Sequence, residues 1–447
     1  MRSVVVNIAR MVLAAALIFS GFVKAIDPLG TQYKIQDYLG AVHLAGVVPD
    51  WITLSASIGL SGFEFCLGVF LLFAIRRRQV SWCTFILMVG MTIVTIWLAT
   101  FNPIQDCGCF GDAIKMTNLQ TLLKNIVLLA AAIAVWRSPL TMRRFISKHN
   151  QWIVINYTIL FTLVVSVWSL YKLPLFDFRP YHVGADIKKG MEVPPGAELP
   201  QYETTFILEK DGEQREFSLE DYPDSTWNFI DARTELVKAG YEPPIHDFSI
   251  VDRETDEDIT DEVLSDSSYT FLLVAPFLEH ASDTNFGAID AIYEYAQDHG
   301  YRFYGLTASS EKGIEHWRDI TGAEYPFCTT DGTTLKTIVR SNPGLVLLHQ
   351  GKVVAKWSHN DLPDFEGDPE MAALVEDASQ VAIPVVRGSA KDVANKIVLI
   401  VLGYILPLLA LTIADRYWAW TRLLQRKKER KETAVTPTEG EAVSSKD

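Results

Sequence analysis

The sequence predicts a membrane α-helical protein with six transmembrane helices and a water-soluble α/β domain inserted between the fifth and sixth. Three observations carry that fold class. Six apolar runs are long enough to cross a bilayer. Charge divides sharply along the chain. Strand-like and helix-like patterns alternate through the acidic part.

The 447 residues are enough for two or three domains, and 49% of them are hydrophobic. The mean hydropathy, +0.14, is high for a wholly soluble chain. Between Leu173 and Ala394 there are 42 acidic and 17 basic residues, and the remainder holds 12 acidic and 23 basic. An apolar, basic part and an acidic, soluble part are different physical objects. No basic face in the soluble part suits nucleic acid, so the partner to expect first is the lipid bilayer.

The first five runs are Val4 to Ala25, Trp51 to Ile75, Val80 to Phe101, Thr117 to Trp136 and Trp152 to Tyr171. The sixth, from about Lys396 to Ile413, contains Pro407, which a packed transmembrane helix tolerates as a kink. The first run reads as an uncleaved helix rather than a signal peptide. Its apolar core is long, and Lys24 interrupts the place where a small-residue cleavage site belongs.

Arg76, Arg77 and Arg78 join runs two and three. Arg137, Arg143, Arg144 and Lys148 join four and five, and seven basic residues from Arg416 to Lys431 follow six. By the positive-inside rule these segments are cytoplasmic. Both termini are then inside, in a bacterial inner membrane, and the region from Leu173 to about Ala394 is periplasmic. The predicted boundaries are 1–150 for four helices, 151–172 for the fifth, 173–200 for a Pro/Gly-rich linker, 201–394 for the outer domain, 395–415 for the sixth helix and 416–447 for a basic, then disordered tail. The tail after Glu432 is rich in Thr, Pro, Glu, Gly and Ser.

In the acidic part Ser268 to Ala275 has a buried-strand pattern, and Ala288 to His299 has helical spacing. A strand at Tyr301 to Leu306, a helix at Glu311 to Thr321, a short strand at Tyr325 to Thr329 and a helical turn at Thr334 to Val339 follow. Gln350-Gly351 joins strands Gly344 to His349 and Lys352 to Trp357 as a hairpin. Gln201 to Asp266 has mixed patterning with no assigned role.

Between runs three and four lies a polar loop containing Asp106-Cys107-Gly108-Cys109-Phe110-Gly111-Asp112. Outside the membrane the two cysteines meet an oxidising compartment. A loop gives access, Gly108 permits the tight turn, and so small a disulfide ring is easily reduced. Asp106 and Asp112 raise the thiol pKa, while Lys115 and the first turn of the next helix lower it. Three readings stay open: a redox-active pair with Cys107 and Cys109 as the catalytic residues, a structural staple, and a metal site. The metal reading lacks further ligands. Cys83 is at the opposite end of its run, Cys66 is mid-membrane, and neither His43 nor His182 has ligand spacing.

Glu64 stands inside an apolar run, where a carboxylate is paired, protonated or functional. Lys124 in the fourth run and Arg10 in the first could each reach it by extending their side chains. The carboxylate can serve as a proton or quinone site beneath the loop, or as half of an ion pair that fixes helix register. Cys328 is the one thiol in the acidic part. A buried apolar role and a mixed disulfide with the loop pair are both open to it.

Two resemblances extend these readings. Ala9-Arg10, Phe19-Ser20-Gly21-Phe22-Val23-Lys24-Ala25-Ile26-Asp27-Pro28, Glu64 with Gly68, the Cys-Gly-Cys loop and Leu123-Lys124-Asn125 resemble the DoxX/MauE group of four-helix membrane proteins. The resemblance spans about residues 4–137. It implies a membrane component tied to periplasmic disulfide chemistry, as MauE is tied to maturation of methylamine dehydrogenase, with a periplasmic client protein and a membrane quinone as the electron acceptor to consider. Tyr269 to Trp357 resembles a thioredoxin-like domain, with Pro343 at the family's cis-proline position. Where that family carries Cys-x-x-Cys, Ala275-Pro276-Phe277-Leu278-Glu279-His280-Ala281-Ser282 has no cysteine, which implies a degenerate copy that binds or shields. Lys24, Cys328 and Pro343 stand as accessory positions. The rival functions are a non-catalytic scaffold and a small-solute transporter using Glu64, which would be expected to show internal repeats.

Overall fold

In a computed structural model, residues 2–44, 46–104, 106–198, 201–210, 213–218, 227–238, 240–376 and 390–435 are described. The chain divides into two units, one of residues 1–179 with 385–447 and one of residues 180–384.

The first unit begins with α1 (Arg2–Ile26), α2 (Pro28–Ala41), α3 (Asp50–Phe73), α4 (Arg77–Phe101), α5 (Asn118–Arg137) and α6 (Gln151–Tyr171). All but α2 are long and apolar enough to span a membrane. The helix α2 lies between the first and second apolar runs, where the sequence pattern assigned no element. Asp27 caps it by accepting from Gly30 N at 2.9 Å, and Pro28 takes the first position, where no amide hydrogen is needed.

Helices α1 and α3 pack most closely, at glycines. A Cβ on Gly68 would lie 2.6 Å from the Ile18 backbone nitrogen, and one on Gly21 would fall on the backbone of Phe65. Within a bilayer, where lipid is as apolar as leucine, such small residues let backbones meet and polar side chains bond across. Leu13, Leu17, Leu67, Leu71, Met88 and Leu128 fill the core between α1, α3, α4 and α5.

The second unit contains α7 (Ile187–Met191), a three-stranded sheet and a six-stranded sheet. The small antiparallel sheet has the order β2-β1-β3, from β1 (Gln201–Lys210), β2 (Glu213–Ser218) and β3 (Asn228–Lys238). The large sheet uses β4 (Val251–Asp252), β5 (Tyr269–Ala275), β6 (Arg302–Thr307), β7 (Phe327–Thr329), β8 (Gly344–His349) and β9 (Lys352–Ser358) in the order β4-β7-β6-β5-β8-β9. Its helices are α8 (Thr260–Ser265), α9 (Phe286–Asp298), α10 (Glu311–Thr321), α11 (Gly332–Ile338) and α12 (Pro369–Glu376).

Strand β5 is buried along its whole length, parallel to β6 and antiparallel to β8. This is the thioredoxin-like layout that the sequence pattern implies. The β8–β9 turn puts Gln350 at φ 49° and Gly351 at φ 71°, the left-handed pair that a tight hairpin needs.

The chain then returns to the first unit through α13 (Ala390–Ile400), a π-helical turn (Val401–Ile405) and α14 (Leu406–Val435), together the sixth span. The π turn lies just ahead of Pro407. The tail expected to be disordered lies outside the described residues beyond Val435. Tyr404 stacks on Phe161 at 4.0 Å, and Asp415 accepts from Ser147 N at 2.7 Å and Asn150 Nδ2 at 2.7 Å.

Two glycines of α3 separate close packing from helix propensity. Gly68→Leu is expected to force α1 away and cost about 1–3 kcal/mol. Gly59→Ala, where a Cβ meets nothing within 4 Å, is expected to leave the melting temperature in detergent unchanged or raised.

Candidate functional site: a disulfide loop over a buried ion pair

The loop between α4 and α5 is closed at its base. Asn102 ends α4 in the left-handed region at φ 47°, and the Asn118 side chain donates to Asn102 Oδ1 and Ile104 O, each at 2.7 Å. Asp106 bridges to Thr117, which caps α5 in a reciprocal pair with Gln120.

Cys107 and Cys109 are joined as a disulfide across Gly108, with Cα atoms 5.4 Å apart. Gly108 has φ +62°, and its amide donates to Asp106 Oδ1 at 2.8 Å. Each cysteine is 7% exposed, and the pair packs on Leu98, Met91, Trp97, Ile104 and Tyr38.

The cover comes from α2. Lys34 and Tyr38 are one turn apart on it, so both face the loop. Lys34 Nζ is 3.3 Å from Asp106 Oδ1, and Tyr38 Oη donates to Cys107 O at 2.9 Å. Burial, then Asp106 and Asp37, push the Tyr38 phenol up to about 12.

The floor is made by α1 and α3. Lys24 Nζ donates to both oxygens of Glu64, at 2.8 and 2.9 Å. The side chains are 5% and 3% exposed, so this is a buried ion pair. Ser20 Oγ lies 2.7 Å from Glu64 Oε2 and 2.7 Å from Cys109 O. A hydroxyl has one hydrogen and both neighbours are acceptors, so with Glu64 ionised Ser20 donates to one of them at a time. Both contacts are hydrogen bonds together only when Glu64 holds a proton and donates it to Ser20.

Behind Cys109 is a cavity of about 30 Å³, lined by Ser20, Glu64, Met88, Cys109, Lys124 and Asn125 among others. It has room for one or two waters and polar groups to hold them. Lys124 Nζ lies 4.0 Å over the Phe110 ring, and Phe110 meets Phe19 edge-on at 5.3 Å.

The structure thus draws Cys107, Cys109, Glu64, Lys24 and Lys124 into one cluster and leaves three other residues outside it. Two expectations are corrected. Lys24, not Lys124 or Arg10, pairs with Glu64: it shares the α1 face of Ser20 one turn away, and Gly21 brings that face against α3. Arg10 is buried elsewhere, donating to Arg143 O at 2.6 Å with its guanidinium 5.1 Å over Phe145.

Cys328 is on β7 of the second unit with 0% exposure, and burial pushes its thiol up to about 12. It is a protonated core residue without access to a disulfide. Pro343 follows a cis bond after Asn342, just before β8. Ser20, Lys34 and Tyr38 were missed by sequence reasoning. The signal for Ser20 was its one-turn spacing from Lys24. Lys34 and Tyr38 gave none, because the sequence pattern assigned no element to their stretch.

Lys24→Met leaves a buried carboxylate unpaired and is expected to cost about 3–5 kcal/mol, part of which Glu64→Gln restores in the double variant, read by thermal unfolding in detergent. Tyr38→Phe is expected to cost about 1 kcal/mol. Because the folded pKa of Tyr38 is raised from its ordinary value of 10 to about 12, its contribution is complete below pH 10 and is lost as pH rises through 12. Ultraviolet titration of the phenolate in the parent and in Tyr38→Phe checks this.

Comparison with known proteins identifies the helical part. Residues 2–138 match the family model of the methylamine utilisation protein MauE. Residues 202–239 match a domain of unknown function (DUF8463). No curated protein sequence matches the chain. A solution structure described as a "putative protein disulfide isomerase" from Bacteroides thetaiotaomicron is 17% identical with a TM-score of 0.21, over 29% of this chain and 81% of that one. At that score the likeness carries nothing about function. The chain is a multi-pass membrane protein whose first 138 residues hold a MauE-type domain.

Proposed function

We propose that the protein exchanges thiols and disulfides at the outer face of a bacterial inner membrane through Cys107 and Cys109. The observation that carries this reading is the disulfide loop held over a buried polar cluster in a MauE-type domain. A client dithiol would reduce the pair and leave with its own disulfide, or a reduced pair would run the same exchange in reverse.

Orientation rests on charge. The α3–α4 and α5–α6 connections and the end of α14 are basic, so they are cytoplasmic with both termini, and the loop and the second unit are periplasmic. The stretch Pro276 to Ser282 that follows β5 has no cysteine, and the unit's Cys328 is buried, which supports client docking rather than exchange by that unit. Return of the pair to its starting state needs a two-electron partner, and a membrane quinone is the class the bilayer supplies. The cavity behind Cys109 is water-sized, so a quinone ring would meet the loop from another side.

Thiol trapping in intact membranes tests the reading. The pair is expected to be oxidised at steady state, to form mixed disulfides with a periplasmic client, and to lose them in the Cys107→Ser/Cys109→Ser variant. Full alkylation of both thiols under oxidising conditions, with client disulfides unaffected by the variant, would sink it. A scaffold would keep its partners in that variant.

A further inference from the structure

We propose that the two sulfurs are inequivalent: Cys107 is the sulfur that bonds the client, and Cys109 is the one that leaves as a thiolate, balanced by Lys124 across the cavity behind it. The inference rests on the exchange reading and adds the polarity of bond cleavage.

The cavity touches Cys109 and not Cys107. Every element around it can be counted for charge. Helix α1 lines it with the neutral Ser20, α3 with Glu64, α4 with the apolar Leu87, Met88 and Met91, and α5 with Lys124 and Asn125; Lys24 stands outside the lining, on the far side of Glu64. Glu64 gives both oxygens to Lys24. Lys124 has no carboxylate within ion-pair distance among the described residues, and its one aromatic neighbour, Phe110, is next in sequence to Cys109. With Glu64 paired to Lys24 outside the lining, Lys124 is the charge left unbalanced at the pocket behind Cys109.

The other flank differs. Cys107 follows Asp106, whose carboxylate is held by Lys34 and by the Gly108 amide, with Asp37 and Tyr38 of α2 nearby. Asp112, three residues beyond Cys109, is itself engaged. A thiolate on Cys107 would form beside a carboxylate, whereas one on Cys109 would form facing a half-buried ammonium in a poorly solvated space. A nearby cation lowers a thiol pKa, and the sulfur of lower pKa leaves faster. Attack also runs along the S–S axis from the side opposite the leaving sulfur. Cys109 borders the cavity in the bundle and Cys107 lies under α2, so a thiolate that bonds Cys107 comes from the α2 side of the loop and one that bonds Cys109 would have to come through the bundle.

A client thiolate bonds Cys107 Sγ, the Cys107–Cys109 bond breaks, and its electron pair stays on Cys109 Sγ. The client sulfur is oxidised and Cys109 reduced. The proton that the client thiol gave to solvent is replaced by one taken up at Cys109 from cavity water. The client's second thiolate then displaces Cys107.

The test uses the oxidised full chain in detergent, with reduced glutathione as the thiol and acid quenching at early times. Mass spectrometry maps the adduct. It is expected on Cys107 over Cys109 by about tenfold. Lys124→Gln is expected to slow adduct formation about tenfold and raise the pH inflection of Cys109 alkylation in the reduced chain by about one unit, and Lys124→Arg to restore both. An adduct equal on the two sulfurs or favouring Cys109, or an inflection indifferent to Lys124→Gln, overturns the inference and leaves exchange standing. No adduct on either sulfur overturns the exchange reading and the inference with it. Mapping in the unsubstituted chain needs no variant to fold.

Discussion

A carboxylate buried in an apolar helix bundle has few places to go, and the site is built from that constraint. Glu64 on α3 is held by Lys24 on α1 through both oxygens. Removing either partner would leave a charge in a medium that penalises it heavily. The pair therefore fixes the rotation of α1 against α3, and Gly21 and Gly68 make the approach close enough for it to form. Ser20, one turn from Lys24, extends the same polar contact to the carbonyl of Cys109. The height of the disulfide loop over the bundle is thus set from below, by the most costly group in it, and from above by Tyr38 on the carbonyl of Cys107.

The parts of this arrangement legible in the sequence are those with a one-dimensional signature. A span shows as some twenty apolar residues, and five of the six were placed within a few residues of Ser3–Ile26, Asp50–Phe73, Arg77–Phe101, Asn118–Arg137 and Gln151–Tyr171. The strand and helix order of the thioredoxin-like sheet was legible for the same reason: β5 and β8 are continuous buried runs bounded by turn residues. Depth is one-dimensional too, which is why Glu64 stood out. The partner of Glu64 was not legible, because it depends on how each helix is rotated about its axis. Lys124 and Arg10 were the right type at reachable depths, but only packing at the glycines selects Lys24. Helix α2 was missed because Pro28-Leu-Gly-Thr-Gln-Tyr-Lys is neither apolar enough for a span nor cleanly periodic. The strands β1 to β3 carry charges at many positions and lack a buried-strand pattern.

The two units divide the features that a thiol-exchange protein would combine. The six-stranded sheet has the strand order and the cis-proline that a thioredoxin-like pattern implies, and the stretch after β5 holds Pro276, Phe277, Leu278 and Glu279 with no cysteine. Glu279 accepts from Ser309 Oγ at 2.6 Å, a hydrogen bond that lowers the pKa of its carboxyl, so a carboxylate stands in that stretch. The one cysteine of the unit is in the core. The disulfide lies in the membrane domain, which supplies, in Ser20, Lys24, Glu64 and Lys124, polar side chains that a soluble loop would draw from water.

That substitution for water is the chemical meaning of the cavity. Reducing a disulfide takes up two electrons and two protons, and a thiolate formed inside a bundle cannot wait for bulk solvent. The space behind Cys109 admits one or two waters and no more. Such a volume is too small to bind an organic substrate and large enough to carry a proton. The one hydrogen of Ser20 stands between two oxygens at equal distance, the Glu64 carboxyl and the Cys109 carbonyl. The loop carbonyl and the buried ion pair are therefore joined through a single hydrogen, and the position of the loop is tied to the pairing of α1 with α3.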